Sequence, residues 1–425
     1  MSPRPLRIGI TPLCDSAPLV VAARRGFFAE EGLDVSLSCE PSWANIRDKL
    51  AAGALDAAHM LAPMALASTL GVGPLELPVV TALSLGLGGN AITASLPLWQ
   101  HMQELAPEAM ARPATRGRAL ATVVAARRAA GAPRLRLATV FPVSMHSYEL
   151  RFWLASAGID PERDVRLLVV PPPRMVAELE AGAIDGFCVG EPWNSVAVLR
   201  GSGAMLITKH DLWNCAPEKV LGVTRAFAEQ EDAAHRALLR ALLRAARWCD
   251  VPENRPLIAH LLARHAGIEV PVEALVPCLT GELRVGPGPA TRSLPEFHAF
   301  DRFAATFPWR SHAAWMLVQM LRWGHVEKSL DVRAATEAVY WTELHREVAA
   351  ELGIPRPDVD EKVEGVHAEP WTQASRSGPI ELGADLLLDG SRFDPRHCTA
   401  SLADYGIHAM RISLDELESA QRTRV

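Results

Sequence analysis

Ser42 and Trp43 open the string P-S-W-A-N-I-R-D-K-L at 41–50. Ser42 suits a helix N-cap, which leaves backbone N–H groups at the helix start, and the indole N–H beside them adds a donor. Such a combination suits an anion, although a capped helix with a packed tryptophan gives the same pattern. His146, in F-P-V-S-M-H-S-Y-E-L (141–150), repeats the arrangement with Ser144 as the N-cap. The positive helix end favours neutral imidazole there; a structural histidine is the alternative. Glu191, in E-P-W-N (191–194), follows an apolar run, and Lys219, in C-A-P-E-K-V-L-G-V (215–223), precedes one. A buried ammonium at Lys219 would neutralise a small anion, whereas an exposed one would be an ordinary surface charge. In G-L-G-G-N-A-I-T (86–93), glycines let the backbone and the Asn90 amide approach a ligand. Their spacing is wrong for a phosphate-binding or dinucleotide loop. Cys14 could act as a nucleophile with His59 or His146 as base, but only its position after the first strand supports that.

An internal repeat supplies the elements that must position these residues. Leu50-Ala-Ala-Gly-Ala-Leu-Asp56 returns 129 residues later as Leu179-Glu-Ala-Gly-Ala-Ile-Asp185, and Pro63 matches Pro192 at the same offset. Each copy reads as strand, helix, strand, helix, strand. The first has strands near 6–11, 33–38 and 55–60 and helices near 17–31 and 43–52. The second has strands near 135–140, 164–170 and 184–189 and helices near 145–157 and 173–181. The glycine in each string suits a helix C′ position. Two βαβαβ units imply two α/β lobes, with ligands at the carboxyl ends of the strands. The division reads as lobe I over 1–93 and 206–290, lobe II over 94–205, and a C-terminal extension over 291–425. In the extension, Ser311 reads as the N-cap of a helix ending before Gly324. Met316, Met320 and Trp323 form an apolar stripe on it, and after Pro355 the chain turns loop-rich.

Composition narrows the function classes. The 425 residues are 49% hydrophobic and 22% charged, with 43 Lys+Arg against 49 Asp+Glu and a net charge of −6. Direct nucleic-acid binding through phosphates would favour a basic surplus. Only Lys49, Lys209, Lys219, Lys328 and Lys362 are lysines among the 43 basic residues, so each merits attention. Seven cysteines, scattered singly, show no metal-type spacing and suit a reducing compartment. The long apolar stretch 61–89 is broken by Pro63, Pro74, Glu76 and Pro78, which argues against membrane insertion. The N-terminus offers no segment of signal-peptide length before the first strand, so a cytoplasmic location is expected.

Several strings in order resemble the nitrate- and bicarbonate-binding proteins of bacterial ABC importers. They are D-S-A-P-L-V-V-A-A-R-R-G-F-F-A-E-E-G-L-D-V (15–35), S-W-A-N-I-R-D-K-L (42–50), D-A-A-H-M-L-A-P-M (56–64), G-N-A-I-T (89–93), V-G-E-P-W-N (189–194) and F-P-W-R-S-H (307–312). The resemblance implies a type II periplasmic-binding-protein fold holding one ligand between two lobes, with contacts from Trp43, Asn90, His146, Glu191 and Lys219. Asn90 stands where the nitrate importers have glutamine. With the cytoplasmic location, the resemblance points to NasS-type nitrate/nitrite sensors. These hold an RNA-binding ANTAR antiterminator and release it when the anion binds. No cofactor or metal is implied. An importer receptor is the alternative, and an enzyme on the same fold comes third. The stripe Met316, Met320, Trp323 or the extension after Pro355 is the expected partner surface.

Overall fold

The computed structural model describes residues 5–73 and 75–422. Residues 1–4 of the N-terminal stretch and Pro74, read above as a breaker, lie outside it. The first sheet holds β1 (Leu6–Ile10), β2 (Val35–Cys39), β3 (Ala57–Leu61) and β4 (Val79–Val80). After the short β5 (Leu87–Gly88), the second takes β6 (Asn90–Ser95), β7 (Arg136–Thr139), β8 (Arg166–Val169), β9 (Gly186–Gly190) and β10 (Gly203–Thr208). The chain then returns to the first with β11 (Lys219–Thr224).

The orders are β2-β1-β3-β11-β4 and β8-β7-β9-β6-β10, so the repeat is visible as two equivalent sheets. In each, three parallel strands of one repeat copy are followed by an antiparallel strand that has crossed from the other lobe. The helices Trp43–Ala51 and Met175–Glu180 both end in a glycine with positive φ, Gly53 and Gly182, each at 65°. The aspartate closing each string serves its own copy alike. Asp56 accepts the Arg7 N–H at 2.8 Å, and Asp185 accepts the Arg136 N–H at 2.7 Å. Both crossings fall a few residues from the positions read in the sequence, because 90–93 already belongs to the second sheet and 206–208 still does.

The extension does not form a third lobe. Its helix Arg310–Arg322 is buried on all sides, and Met316, Met320 and Trp323 lie in one hydrophobic core with residues of both lobes. The stripe is therefore core and presents no surface to a partner. Ser311 is not the cap either. The helix starts two residues earlier, with Trp309 at the cap position, and the Ser311 hydroxyl donates instead to Glu364 at 2.7 Å. Beyond Pro355, Leu387, Phe393, Leu402 and Leu417 fold back onto the same core. No helix among the described residues is long and apolar enough to cross a membrane.

Candidate functional site

The two crossing strands place the site. Lys219 and Asn90 are the first residues of β11 and β6, opposite Leu61 and Gly190, the last residues of β3 and β9. Asn90 and Lys219 thus stand at equivalent points, at the carboxyl ends of the central parallel strands. The approach is tight: Gly88 and Gly89 have φ of 82° and 83°, and a Cβ on either would fall 2.1 Å from the Phe297 carbonyl or the His298 ring. Ser42 and Ser144 cap their helices as expected, accepting from Asn45 and Ser147 N–H. Trp43 and His146 are thereby fixed in the first turns, one from each lobe.

All five candidate residues are buried at the seam between the lobes. Lys219 Nζ donates to Asp15 Oδ2 and Glu218 Oε1, both at 2.8 Å, and lies 5.3 Å from the centre of the Trp43 ring. Asn90 Nδ2 donates to Glu218 Oε2 at 2.5 Å and Glu149 Oε2 at 3.1 Å. His146 Nδ1 is 3.3 Å from Glu218 Oε1 but outside hydrogen-bond geometry. Glu191 has no such link to the other four; its carbonyl accepts the Cys14 N–H at 2.8 Å across the seam. Its Oε2 accepts the Ser195 N–H at 3.1 Å. Several buried atoms have no protein partner: Trp43 Nε1, His146 Nε2, Asn90 Oδ1 and Glu191 Oε1.

The sequence reading missed a second set of charges. Lys209 Nζ meets Glu218 Oε2 at 2.6 Å and Glu149 Oε1 at 2.7 Å, and His59 Nε2 stands 3.1 Å from Asp15 Oδ1. Lys209 was legible as one of five lysines; nothing in its local string marked it as buried. Burial alone would raise the Asp15 and Glu218 carboxyls. Lys219 and His59 instead hold Asp15 well below the usual carboxylate range, and His146, Lys209 and Lys219 do so for Glu218. Burial pushes Glu191 up to about 7, and Glu149 rises for the same reason. It pushes His146 down to about 3, so that imidazole is neutral at pH 7 and can donate one N–H.

The charge count corrects the expectation that Lys219 brings a free positive charge. Lys209 and Lys219 are balanced by Asp15 and Glu218, while any ionised Glu149 or Glu191 adds negative charge. The arrangement therefore supplies donors in a nearly neutral setting. The nucleophile reading also fails: Cys14 Sγ contacts Cys278 Sγ at 3.4 Å, has no hydrogen bond to His59 or His146, and burial raises its thiol pKa. No group of three or more His, Cys, Asp or Glu suited to a metal ion occurs among the described residues.

Residues 1–263 match the profile of the NMT1-like family. The chain belongs to that family. The nitrate/nitrite binding protein NrtA of Synechococcus elongatus is 33% identical over 404 residues, 93% of this chain and 84% of that protein. The nitrate import ATP-binding protein NrtC of Synechocystis is 39% identical over 352 residues, 82% of this chain. The chain spans 50% of that protein's length. Bicarbonate-binding relatives match as well. The crystal structure of the periplasmic nitrate-binding protein NrtA from Synechocystis superimposes with a TM-score of 0.82 at 29% identity, covering 95% of this chain and 98% of that one. This structural likeness confirms the periplasmic-binding-protein fold; the 2-1-3 strand order with a crossing antiparallel neighbour is its type II arrangement.

Proposed function

We propose that this chain binds nitrate or nitrite in the seam between its lobes, as the substrate-binding component of an importer. The observation that carries the reading is the pair of buried, partnerless donors, Trp43 Nε1 and His146 Nε2, beside the Lys219 ammonium. Nitrate is planar, singly charged and an acceptor only, so it satisfies orphaned donors without needing an acceptor from the protein. The named relatives are import components, which favours the receptor over the cytoplasmic sensor that controls an ANTAR antiterminator. An antiterminator complex dissolved by nitrate, with the protein found in the cytoplasmic fraction, would reverse that order.

Bicarbonate is a second reading with its own observation. Asn90 Oδ1 and Glu191 Oε1 are buried acceptors without partners, suited to a hydroxyl proton that nitrate lacks. Calorimetry with nitrate, nitrite, bicarbonate and sulfate separates the cases. One nitrate or nitrite per chain is expected as the tightest ligand; tightest binding to sulfate would sink the proposal, because a nearly neutral site poorly offsets two charges.

The acidic groups give the reading a pH signature. A bound anion opposes ionisation of Glu191 and Glu149, so binding takes up protons and weakens as pH rises through about 7. Nitrate affinity should fall between about pH 6 and about pH 8, by at most about tenfold per pH unit for each coupled proton. Glu191→Gln, which keeps the side chain neutral, should flatten that fall. Titrations giving one affinity across the range would rule out the coupling.

A further inference from the structure

The cysteines stand singly in the sequence, yet two meet in the fold. Cys14 opens the short 3-10 helix Cys14–Ser16 after β1, and Cys278 lies on the helix Val272–Thr280. Both side chains are buried, and their sulfurs are 3.4 Å apart although 264 residues separate them. A disulfide has sulfurs about 2.05 Å apart, so closure needs an approach of roughly 1.4 Å. Neither sulfur serves a metal or the anion contacts above.

The surroundings decide how a reagent reaches them. The Cys14 N–H is bonded to the Glu191 carbonyl of the other lobe, and Trp193 Nε1 donates to the Pro12 carbonyl at 3.1 Å just before it. The helix carrying Cys278 packs on the lobe II helix Trp193–Leu199. Both cysteines belong to the lobe I core, and these lobe II contacts cover them from the seam side. While covered, both thiols are held protonated by burial, with Glu191 adding to the effect.

We propose that Cys14 and Cys278 form a reversible disulfide site, reached by small oxidants through the seam when the lobes part. With a small disulfide such as oxidised glutathione, one cysteine thiolate attacks a glutathione sulfur and expels a glutathione thiolate. The second cysteine thiolate then attacks the sulfur of its mixed-disulfide neighbour and expels the other glutathione. Two electrons pass from the protein to glutathione, the two thiol protons end on the two glutathione thiols released, and one Cys14–Cys278 bond forms. The exposed Cys39 has no such neighbour and serves as an internal control.

Only the anion dependence of this route rests on the proposed function. The test incubates the full chain with oxidised glutathione, with and without saturating nitrate, then alkylates it and measures intact and peptide masses. The expected product has lost two hydrogens and yields a linked peptide pair containing Cys14 and Cys278. C14S and C278S each abolish it, and nitrate slows its formation by about fivefold or more through the closed population. No linked peptide in the nitrate-free arm, or a link between other cysteines, overturns the site. An unchanged rate in protein shown by calorimetry to bind nitrate overturns the access route. Absence of nitrate binding counts against the anion reading alone, since the nitrate-free arm decides the disulfide.

Discussion

Lys219→Ala should cost the chain its anion and much of its stability together. The ammonium is buried between Asp15 and Glu218, and its removal leaves Asp15 facing only His59 while Glu218 keeps Lys209. Breaking a buried pair by deleting one partner costs about 3–5 kcal/mol, because the surviving charge loses its compensation. For the anion the loss is compounded. A charge-assisted hydrogen bond of about 1.5–3 kcal/mol goes, and the site turns net negative, so affinity should fall at least about tenfold. Asp15→Asn combined with Lys219→Met separates the two effects, since it removes one carboxylate's charge with the ammonium. That variant should regain thermal stability without regaining the anion. Wild-type affinity in folded Lys219→Ala would remove Lys219 from the site.

Trp315→Ala should be the most damaging change outside the site. The indole is buried, 5.0 Å from the Trp213 ring and 6.4 Å from the Phe152 ring, and so ties the extension helix to lobe II. Truncating a buried tryptophan costs about 3–5 kcal/mol through lost transfer energy and the cavity left behind. Urea unfolding would register the loss as a lower midpoint with little change in slope. A change below about 1 kcal/mol would mean that the extension is not part of the core.

Features set by local chemistry were legible: the Ser42 and Ser144 caps, the glycines closing the repeat helices, and the strand pattern of each copy. These depend on residues within one helical turn or one strand. The ion cluster was not legible, because Asp15, Glu149, Lys209 and Glu218 come from four separate elements and meet only when the crossings bring β6 and β11 beside the repeat strands. Glu218 was passed over beside Lys219, although its carboxylate is the common partner of Lys209, Lys219 and Asn90. The extension helix misled for a related reason. Ser311, His312, Gln319 and Arg322 give it the look of a half-exposed helix. Tertiary partners satisfy them instead: Ser311 and His312 face Glu364, Gln319 meets Tyr405, and Arg322 donates to the Ile407 carbonyl.

The continuous core beneath the seam has a kinetic consequence. Trp43, His146 and Lys219 are each no more than 1% exposed, so an anion cannot reach them by collision with the closed chain. The lobes must first part, releasing the Cys14–Glu191 and Pro12–Trp193 bonds and exposing apolar surface shared with helix Arg310–Arg322. On the proposed function, capture is then a two-step event: the observed rate should level off at high anion concentration, at the rate of parting. Departure obeys the same gate, which lengthens residence without adding a single contact to the ligand.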